Sequence, residues 1–475
     1  METPGKPRKI AVIGGGISGL AAAHRIGELD PGAEVTLFEA SNRLGGVIRT
    51  IRQDGFLIEQ SADSFITNVP AAVDLCRRIG LGGELLQTDP NYRGASVVSR
   101  GRLRPIPEGF LLMAPERIWP IVTSPILSWR GKLRLARERW IKQRVEGSDE
   151  SVASFARRRL GGEAFERLVQ PLVGGIYTGD PERLSLAATL PRFLEMERKH
   201  GSLTRAMRTH APGSAARSGA DSGARYSLFV APRDGLSSFI ETIAARLPAG
   251  SIILNAPVEQ IERRGGQWSL VAGQNAEGKA FDAVIVATPA RVVANLLKSI
   301  EGDVAGELLQ IEHAGTAIVV MVYDRSQIAH PLDSFGFVVP AIEQRRILSA
   351  SFSSLKFRGR APDGKVLIRV FLGGALQPEM LDRTDDELRR IAEEELRGLM
   401  DISGSPYLSL AFRWPAVMPQ YHVGHLDRLA RINAGLAKLP GLALAGNAYE
   451  GVGIPQCIKS GESAAERVIA QLANS

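Results

Sequence analysis

Cysteine is nearly absent from this chain. Its 475 residues include two, Cys76 and Cys457, far apart and in no CxxC spacing. That excludes a disulfide framework and a cysteine-ligated metal, and it points to a reducing compartment. Both cysteines are expected to be small core residues. Histidine is sparse as well: there are seven, none in a catalytic motif, and no metal is expected. No apolar run approaches the roughly 20 residues needed to cross a bilayer. Eight residues precede the first predicted strand, which leaves no room for a secretory leader, so a cytoplasmic location is expected. Acidic residues are outnumbered, 51 against 58 Lys and Arg, for a net charge of +7. Such a balance favours anionic partners. No nucleic-acid-binding motif accompanies it, which leaves carboxylates or lipid headgroups.

What the chain does contain begins at once. In "KIAVIGGGISGLAAAHRI", residues 9–26, Ile10–Ile13 reads as a buried strand and Ser18 onward as a small-residue helix. Gly14, Gly16 and Gly19 form GxGxxG between them. The first glycine suits the tight turn, the second the approach of a pyrophosphate, the third close helix–sheet packing. The helix N-terminus offers free N–H groups to phosphate. A second strand, Glu34–Phe38, ends at Glu39, 20 residues beyond Gly19. An acid there suits a ribose hydroxyl pair and repels a 2′-phosphate. The fold class is therefore α/β, with a Rossmann-like dinucleotide site.

The next segment, "ASNRLGGVIRT", carries Arg43, Gly45 and Gly46. An Arg and Gly-Gly after the ribose acid resemble the extended FAD motif of flavoproteins of the glutathione-reductase/p-hydroxybenzoate-hydroxylase type, amine oxidases especially. The resemblance implies FAD as cofactor. It also implies that Val258, at the start of a predicted hairpin, touches the adenine through its backbone. Near the end, "LALAGNAYEGVGIPQCIKSGESAAERV" reads as strand, glycine-rich turn and helix. Gly446, Asn447, Gly451, Val452 and Gly453 are expected under the flavin and its phosphates. The helix from about Pro455 would turn its positive end towards the flavin ring.

The nucleotide domain is thus expected to be discontinuous, with the segments between building the substrate site. Residues 1–84, 229–308 and 439–475 are assigned to the FAD-binding domain. Residues 85–205 read as a mostly helical insertion, 206–228 as a mobile loop and 309–438 as an α+β substrate-binding domain. In the last, four strands precede the helix "TDDELRRIAEEELRGLM", capped by Thr384 with Glu387 three residues on. "YLSLAFRWPAVMPQY" should be a further strand.

Residues 126–144, "ILSWRGKLRLARERWIKQR", place Trp129, Leu133, Ala136 and Trp140 on one helical face among basic residues. Two readings stand: a core-facing stripe with a solvated basic face, or a helix lying on an anionic membrane surface. The preceding apolar stretch is broken by Pro115, Pro120 and Pro125, which suits a channel wall or a membrane-dipping hairpin better than a span.

The chain as a whole resembles the oxygen-dependent porphyrinogen oxidases, the family of protoporphyrinogen IX oxidase and coproporphyrinogen III oxidase. The motifs are "GGGISGLAAAHRI", "EASNRLGGVIRT", "GFLIEQSADSF", "GGIYTGDPERLSLAATLPRFLEMERKHGSL", "FGFVVPAIEQRR", "FLGGALQPE", "FRWPAVMPQYHVGH" and "AGNAYEGVGIPQCI". The resemblance implies an apolar cleft over the flavin for a nonplanar tetrapyrrole. Gly175 matches a glycine whose carbonyl lies near a pyrrole nitrogen, and Val338 and Phe371 match positions that sandwich a ring. Ser351 replaces an apolar residue of that sandwich. Asp63 and Ala95 stand where related enzymes place Asn or Arg, and a propionate-binding Arg; Arg93, two residues upstream of Ala95, is the substitute. "RGRLRPIPEGF" is similar to the coproporphyrinogen-using branch, and Arg100, Arg102 and Arg104 would either suit its four carboxylates or form a solvated loop.

The resemblance further implies hydride transfer from a bridging carbon to flavin N5, with molecular oxygen as acceptor and hydrogen peroxide released. Six electrons leave in three rounds. No acid or base is assigned. His200, His422 and His425 are expected to be surface or structural residues, the last two near the substrate strand. Implied partners are the tetrapyrrole, oxygen, haem-pathway enzymes and an anionic membrane surface, with a peripheral position on the inner face of the cytoplasmic membrane. The alternatives are an amine oxidase or carotenoid-type desaturase on the same scaffold, or a flavin-binding partner protein without turnover.

Overall fold

Alternation along the strand Lys9–Ile13 sets the layers of the first half of the molecule. In the computed structural model, which describes residues 6–115, 117, 119–144, 147–209, 228–273 and 279–474, Ile10 and Val12 face one hydrophobic cluster and Ala11 and Ile13 another. This strand is central in a five-stranded, wholly parallel sheet. Its neighbours are Glu34–Phe38 on one side, with Ile252–Ile253 beyond, and Ala283–Val286 on the other, with Leu442–Leu444 beyond. Segments from the beginning, middle and end of the chain thus share one sheet. Parallel pairing requires crossovers, and the long intervening segments supply them.

Helices Ile17–Leu29, Leu236–Ala244 and Ile454–Ala473 cover one face. The first and last approach closely, because a Cβ on Gly461 would collide with the Ser18 carbonyl. Cys76 and Cys457 are both buried and free in this layer, as expected. A three-stranded sheet carrying Trp268 and helices Ala290–Leu297 and His425–Leu436 cover the other face.

A seven-stranded sheet forms the second body. Its order is Leu408–Pro419, His313–Asp324, Lys365–Gly373, Ser349–Phe352, Gly336–Val338, Ser96–Ser99, Arg102–Pro105. Ala317, Val319, Met321, Ile368 and Val370 point to the side closed by helix Asp385–Met400. That helix begins with the expected box: Thr384 accepts from the Glu387 N–H, and the Glu387 carboxylate accepts from Thr384. Ile318, Val320, Leu367 and Phe371 face the opposite way.

Two expectations need correction. Residues 85–205 are not helical throughout: Ser96–Ser99 and Arg102–Pro105 form a hairpin on the edge of the seven-stranded sheet. Its two strands are joined by a tight turn in which Arg100 and Gly101 both take left-handed φ values, and the Gly at that turn between Val-Val and Leu was the available hairpin signal. Residues 126–144 are not one helix. The helix Trp129–Ala136 passes into a 3₁₀ turn over Arg137–Trp140. Glu138 is drawn inward there, where it pairs with Arg159 and accepts from Ser202 Oγ and the N–H groups of Leu203 and Thr204. The core-facing reading of its stripe also fails, since Trp129, Leu133 and Trp140 are 71%, 65% and 64% exposed. Of the expected loop 206–228, residues 206–209 belong to helix Leu203–Thr209, and 210–227 lie outside the described residues. No described helix is long and apolar enough to cross a membrane.

Candidate functional site

Because the five strands are parallel, their following loops meet at one sheet edge. Gly14 follows the first strand with φ +107°, a conformation that side chains resist. A Cβ on Gly19 would strike the Gly14 carbonyl, so turn and helix interlock. Gly16 begins the helix without a capping side chain, and nothing lies within 4 Å of where its Cβ would be. The cradle is open where a phosphate would enter.

Glu39 lies at the end of the second strand. Its Oε2 accepts from the Gly15 N–H at 2.7 Å, and its Oε1 from the Ser41 N–H at 2.8 Å and Oγ at 2.7 Å. The expected ribose acid is therefore also the brace of the glycine turn. Gly45 N–H donates to the Gly15 carbonyl at 2.8 Å, laying the Arg43–Gly46 segment against that turn. Arg43 donates to the carbonyls of Leu44, Gly46 and Ile48. It stiffens its own loop. The Ala256 N–H donates to the Glu39 carbonyl at 2.9 Å, which brings the start of the Val258 strand beside the same edge.

The C-terminal loop closes the edge. The Gly446 N–H donates to Ser460 Oγ at 3.1 Å, and Asn447 Nδ2 to the Val417 carbonyl at 3.1 Å. Gly453 is the N-cap of the last helix, again with no capping side chain, and Val452 and Gly451 precede it. Two uncapped helix N-termini thus meet the ends of the parallel strands, the arrangement that favours a dinucleotide. Thr288 Oγ1, Tyr449 Oη and Gln456 Oε1 are buried near these loops without a hydrogen-bond partner. Orphaned buried polar atoms are costly, and together with the open cradle they fit a polar dinucleotide in this groove.

The substrate-side residues come from the seven-stranded sheet. Register sets Phe371 opposite Ser349 and Ser349 opposite Val338. The last turn of helix Gln170–Tyr177 descends on this row, with the Cβ position of Gly175 3.4 Å from Val338 Cγ1. Ser351 lies one step along, between Gly336 and Arg369. Gly175, Val338, Phe371 and Ser351 therefore share one partly open face. Arg93 is exposed and has no hydrogen bond or ion pair to any of them.

Asp63 is not a free carboxylate. It is paired with Lys356 Nζ at 2.8 Å and Arg369 Nη1 at 3.2 Å, and it accepts from Ser64 Oγ. Burial would raise its pKa, but Lys356 and Arg369 overcome that and hold it far below the usual carboxylate range. The trio carries one net positive charge beside Ser351. Lys356 and Arg369 escaped the sequence reading; a lone Arg inside the apolar strand "KVLIRVFLGG" was the available signal.

Val338 pairs with Val97 and Val97 with Arg104, so Arg104 continues the same cross-strand row two strands farther out, beyond the fully buried Val97. Arg100, Arg102 and Arg104 line a cavity with Ser99 and Pro125.

One junction was missed at sequence level. Gln420 Nε2 donates to the Tyr177 carbonyl at 3.2 Å, and the Ser185 N–H donates to the Tyr421 carbonyl at 2.7 Å. The Tyr421 hydroxyl donates to the Asn447 carbonyl and accepts from the Gly451 N–H at 2.9 Å. His425 stacks on Tyr421, and its Nε2 lies 3.2 Å from the Tyr449 carbonyl. Burial lowers its pKa to about 4, so it is neutral and structural. His422, half-buried between Arg183 and Glu312, is lowered by burial and by Arg183. "PQYHVGH" thus ties the Gly175 helix to the loop beneath the groove.

Residues 17–469 match the family described as flavin containing amine oxidoreductase. The coproporphyrinogen III oxidase of Staphylococcus aureus is 35% identical over 471 residues, covering 98% of this chain and 100% of that protein. The chloroplastic protoporphyrinogen oxidase of Nicotiana tabacum is 30% identical, covering 96% of this chain and 84% of that one. A crystal structure from Exiguobacterium sp. 255-15, assigned as a protoporphyrinogen oxidase, superposes with a TM-score of 0.87 at 30% identity, over 98% and 99% of the two chains.

Proposed function

This chain belongs to the flavin containing amine oxidoreductase family, its cofactor is FAD, and we propose that it oxidises a porphyrinogen to the porphyrin in haem biosynthesis. Coproporphyrinogen III is the favoured substrate and protoporphyrinogen IX the alternative, since the relatives named for the former are 33–36% identical and those for the latter 27–30%. Molecular oxygen is the proposed acceptor and hydrogen peroxide the co-product. A peripheral position on the inner face of the cytoplasmic membrane belongs to the same reading.

The observation that carries the proposal is the meeting of Gly175, Val338 and Phe371 on one half-open apolar face, tied through Tyr421 to the flavin loop. Bound FAD supplies a two-electron acceptor for hydride from an sp³ bridging carbon. The chain's own part is to bind, orient and exclude water. Phe371 and Val338 offer apolar walls to a puckered macrocycle. In this reading the Gly175 carbonyl would accept a hydrogen bond from a pyrrole N–H. Neighbouring pyrroles delocalise the cation left by hydride loss, so no strong base is required; the two nearby histidines are committed elsewhere. Six hydrogens must leave, so the face has to accept successive oxidation states, which a smooth apolar wall tolerates better than a set of fixed polar contacts.

An amine oxidase reading is disfavoured by Tyr449. Its hydroxyl is buried, and no second aromatic ring pairs with it among the described residues. The test is anaerobic addition of each porphyrinogen to the FAD-loaded protein. Loss of the visible flavin absorption, followed by porphyrin fluorescence on admitting oxygen, is the expected result. Flavin that stays oxidised with both porphyrinogens would overturn the proposal in favour of a non-catalytic flavin-binding role.

A further inference from the structure

The strand Lys365–Gly373 carries one charge into the middle of the sheet. Arg369 is 2% exposed, and its chain neighbours Ile368 and Val370 are buried hydrophobics. A leucine or methionine at this position would escape the cost of desolvating a guanidinium. The arginine is held instead at several points. Its Nη1 pairs with Asp63 Oδ2 at 3.2 Å, and its Nη2 donates to the Ser61 carbonyl. Its Nε is buried without a partner. Among the described residues, the hydrogen bonds and ion pair of this group therefore all go to Ser61 and Asp63. Its guanidinium carbon stands 5.1 Å from the centroid of the Phe371 ring.

Asp63 is fixed in its turn. Its other oxygen, Oδ1, accepts from Lys356 Nζ at 2.8 Å, and the same Nζ lies 2.8 Å from Ser64 Oγ. Lys356 Nζ also lies 5.1, 5.8 and 5.4 Å from the ring centroids of Phe229, Phe335 and Phe357, so aromatic faces cage it. A relay of contacts thus runs from caged Lys356 through Asp63 and Arg369 to Phe371, which is half-buried. Phe371 has few other supports. On a sheet face, the neighbours of a side chain stand two residues away along the strand and opposite it on the flanking strands. For Phe371 these are Arg369 and Gly373, then Ile318 and Ser349. Gly373 has no side chain and Ser349 a short one. Ile318 and Arg369 are left to bound the ring.

We propose that Arg369 is a positioning residue, which sets the orientation of the Phe371 ring on the substrate face and is itself anchored by Asp63 and Lys356. The inference rests on the functional reading of Phe371 as a wall for substrate. A guanidinium suits the task because it is planar, packs on an aromatic ring and donates from several nitrogens at once. An ammonium could pair with Asp63, but it is a point charge on a flexible stem and would leave the ring less constrained. The charge balance makes the role separable from folding. Without Arg369, Asp63 and Lys356 remain as a balanced pair, so its removal leaves no counterion stranded.

The experiment joins fluorine NMR to a kinetic double-mutant cycle, both on the FAD-loaded full chain. For the first, para-fluorophenylalanine replaces Phe371. One sharp resonance is expected while Arg369 is present, and a shifted, broadened or split one in Arg369→Met. Arg369→Lys should not restore the single line, and it carries both measurements if Arg369→Met does not fold. In the cycle, Phe371→Leu and Arg369→Met should each lower kcat/KM for coproporphyrinogen III about tenfold. The double variant should be no worse than either, whereas independent roles would multiply to about a hundredfold. A resonance unmoved by Arg369→Met, full recovery by Arg369→Lys, or losses that multiply in the cycle would each overturn the proposal. Unaltered flavin in the parent chain with both porphyrinogens, beside a resonance that responds to Arg369→Met, would count against the functional reading alone and leave the ring-positioning role standing.

Discussion

Tyr421 lies flat on His425, with ring centroids 4.2 Å apart and planes within 10°. Both rings are buried, and both turn a polar atom to the loop of residues 447–451. The stack connects the segment following the long strand Leu408–Pro419 to the loop of residues 447–451. Tyr421→Phe removes the hydroxyl that bridges the Asn447 carbonyl and the Gly451 N–H and leaves both buried groups short of a partner. A loss of about 1–2 kcal/mol is expected, or about 5- to 30-fold in FAD Kd. Titration of the apoprotein with FAD, followed by fluorescence quenching, checks it.

The Glu39 carboxylate holds Gly15 and Ser41, and in the proposed cofactor site it would also meet a ribose diol. Glu39→Ala should lower FAD affinity by roughly 1.5–3 kcal/mol, or about 10- to 150-fold. Unchanged flavin retention through dialysis would remove it from the cofactor site.

Removing Asp63 leaves Lys356 and Arg369 buried without their counterion. Asp63→Ala is therefore expected to destabilise the fold by about 3–5 kcal/mol, read as a fall in denaturant midpoint. Replacing Lys356 by Met in the same chain should recover part of that loss by restoring charge balance. The sign with pH follows from a depressed carboxyl: the stabilisation is present above the ordinary value of 3.8 and is lost as pH falls below it.

Glu59 gives the opposite trend in a separate window. Burial raises its pKa from 4.5 to about 6, against hydrogen bonds from the Leu236 N–H and Thr50 Oγ1 and the nearby Arg360 and Arg369. The folded protein takes up this proton before the unfolded chain does. Stability should therefore rise as pH falls from about 6 to 4.5, by about 2 kcal/mol at most. Glu59→Gln should flatten that part of the stability–pH curve, measured by urea unfolding at each pH.

Gly175→Ala would set a methyl group 3.4 Å from Val338 Cγ1 on the proposed substrate face. A loss of about 10-fold in kcat/KM for porphyrinogen is expected, with FAD affinity unchanged. An equal loss of FAD would assign the residue to the cofactor side.

Local chemistry decided what could be read without coordinates. The strand–glycine–helix–strand–acid order of residues 9–39 declares a dinucleotide turn because each residue acts on neighbours close in the chain. The capping box of Thr384 and Glu387 was legible for the same reason. The stripe of Trp129, Leu133 and Trp140 was legible as a stripe, but not as to which side it faced. Helical periodicity reports only that a face exists, and here the inward pull of Glu138 ended the helix and left the stripe in solvent.

The sequence alone determined the α/β class, the flavin-type nucleotide turn and a family of porphyrinogen oxidases, because short-range motifs and their order carry those. Only the tertiary structure decided that Asp63 is neutralised by Lys356 and Arg369, that buried Val97 separates Arg104 from Val338 along one cross-strand row, and that Gln420 and Tyr421 join Tyr177's helix to the loop of residues 447–451. Each of these joins residues far apart in the chain, and such pairings are set by register, burial and charge compensation across the packed sheets.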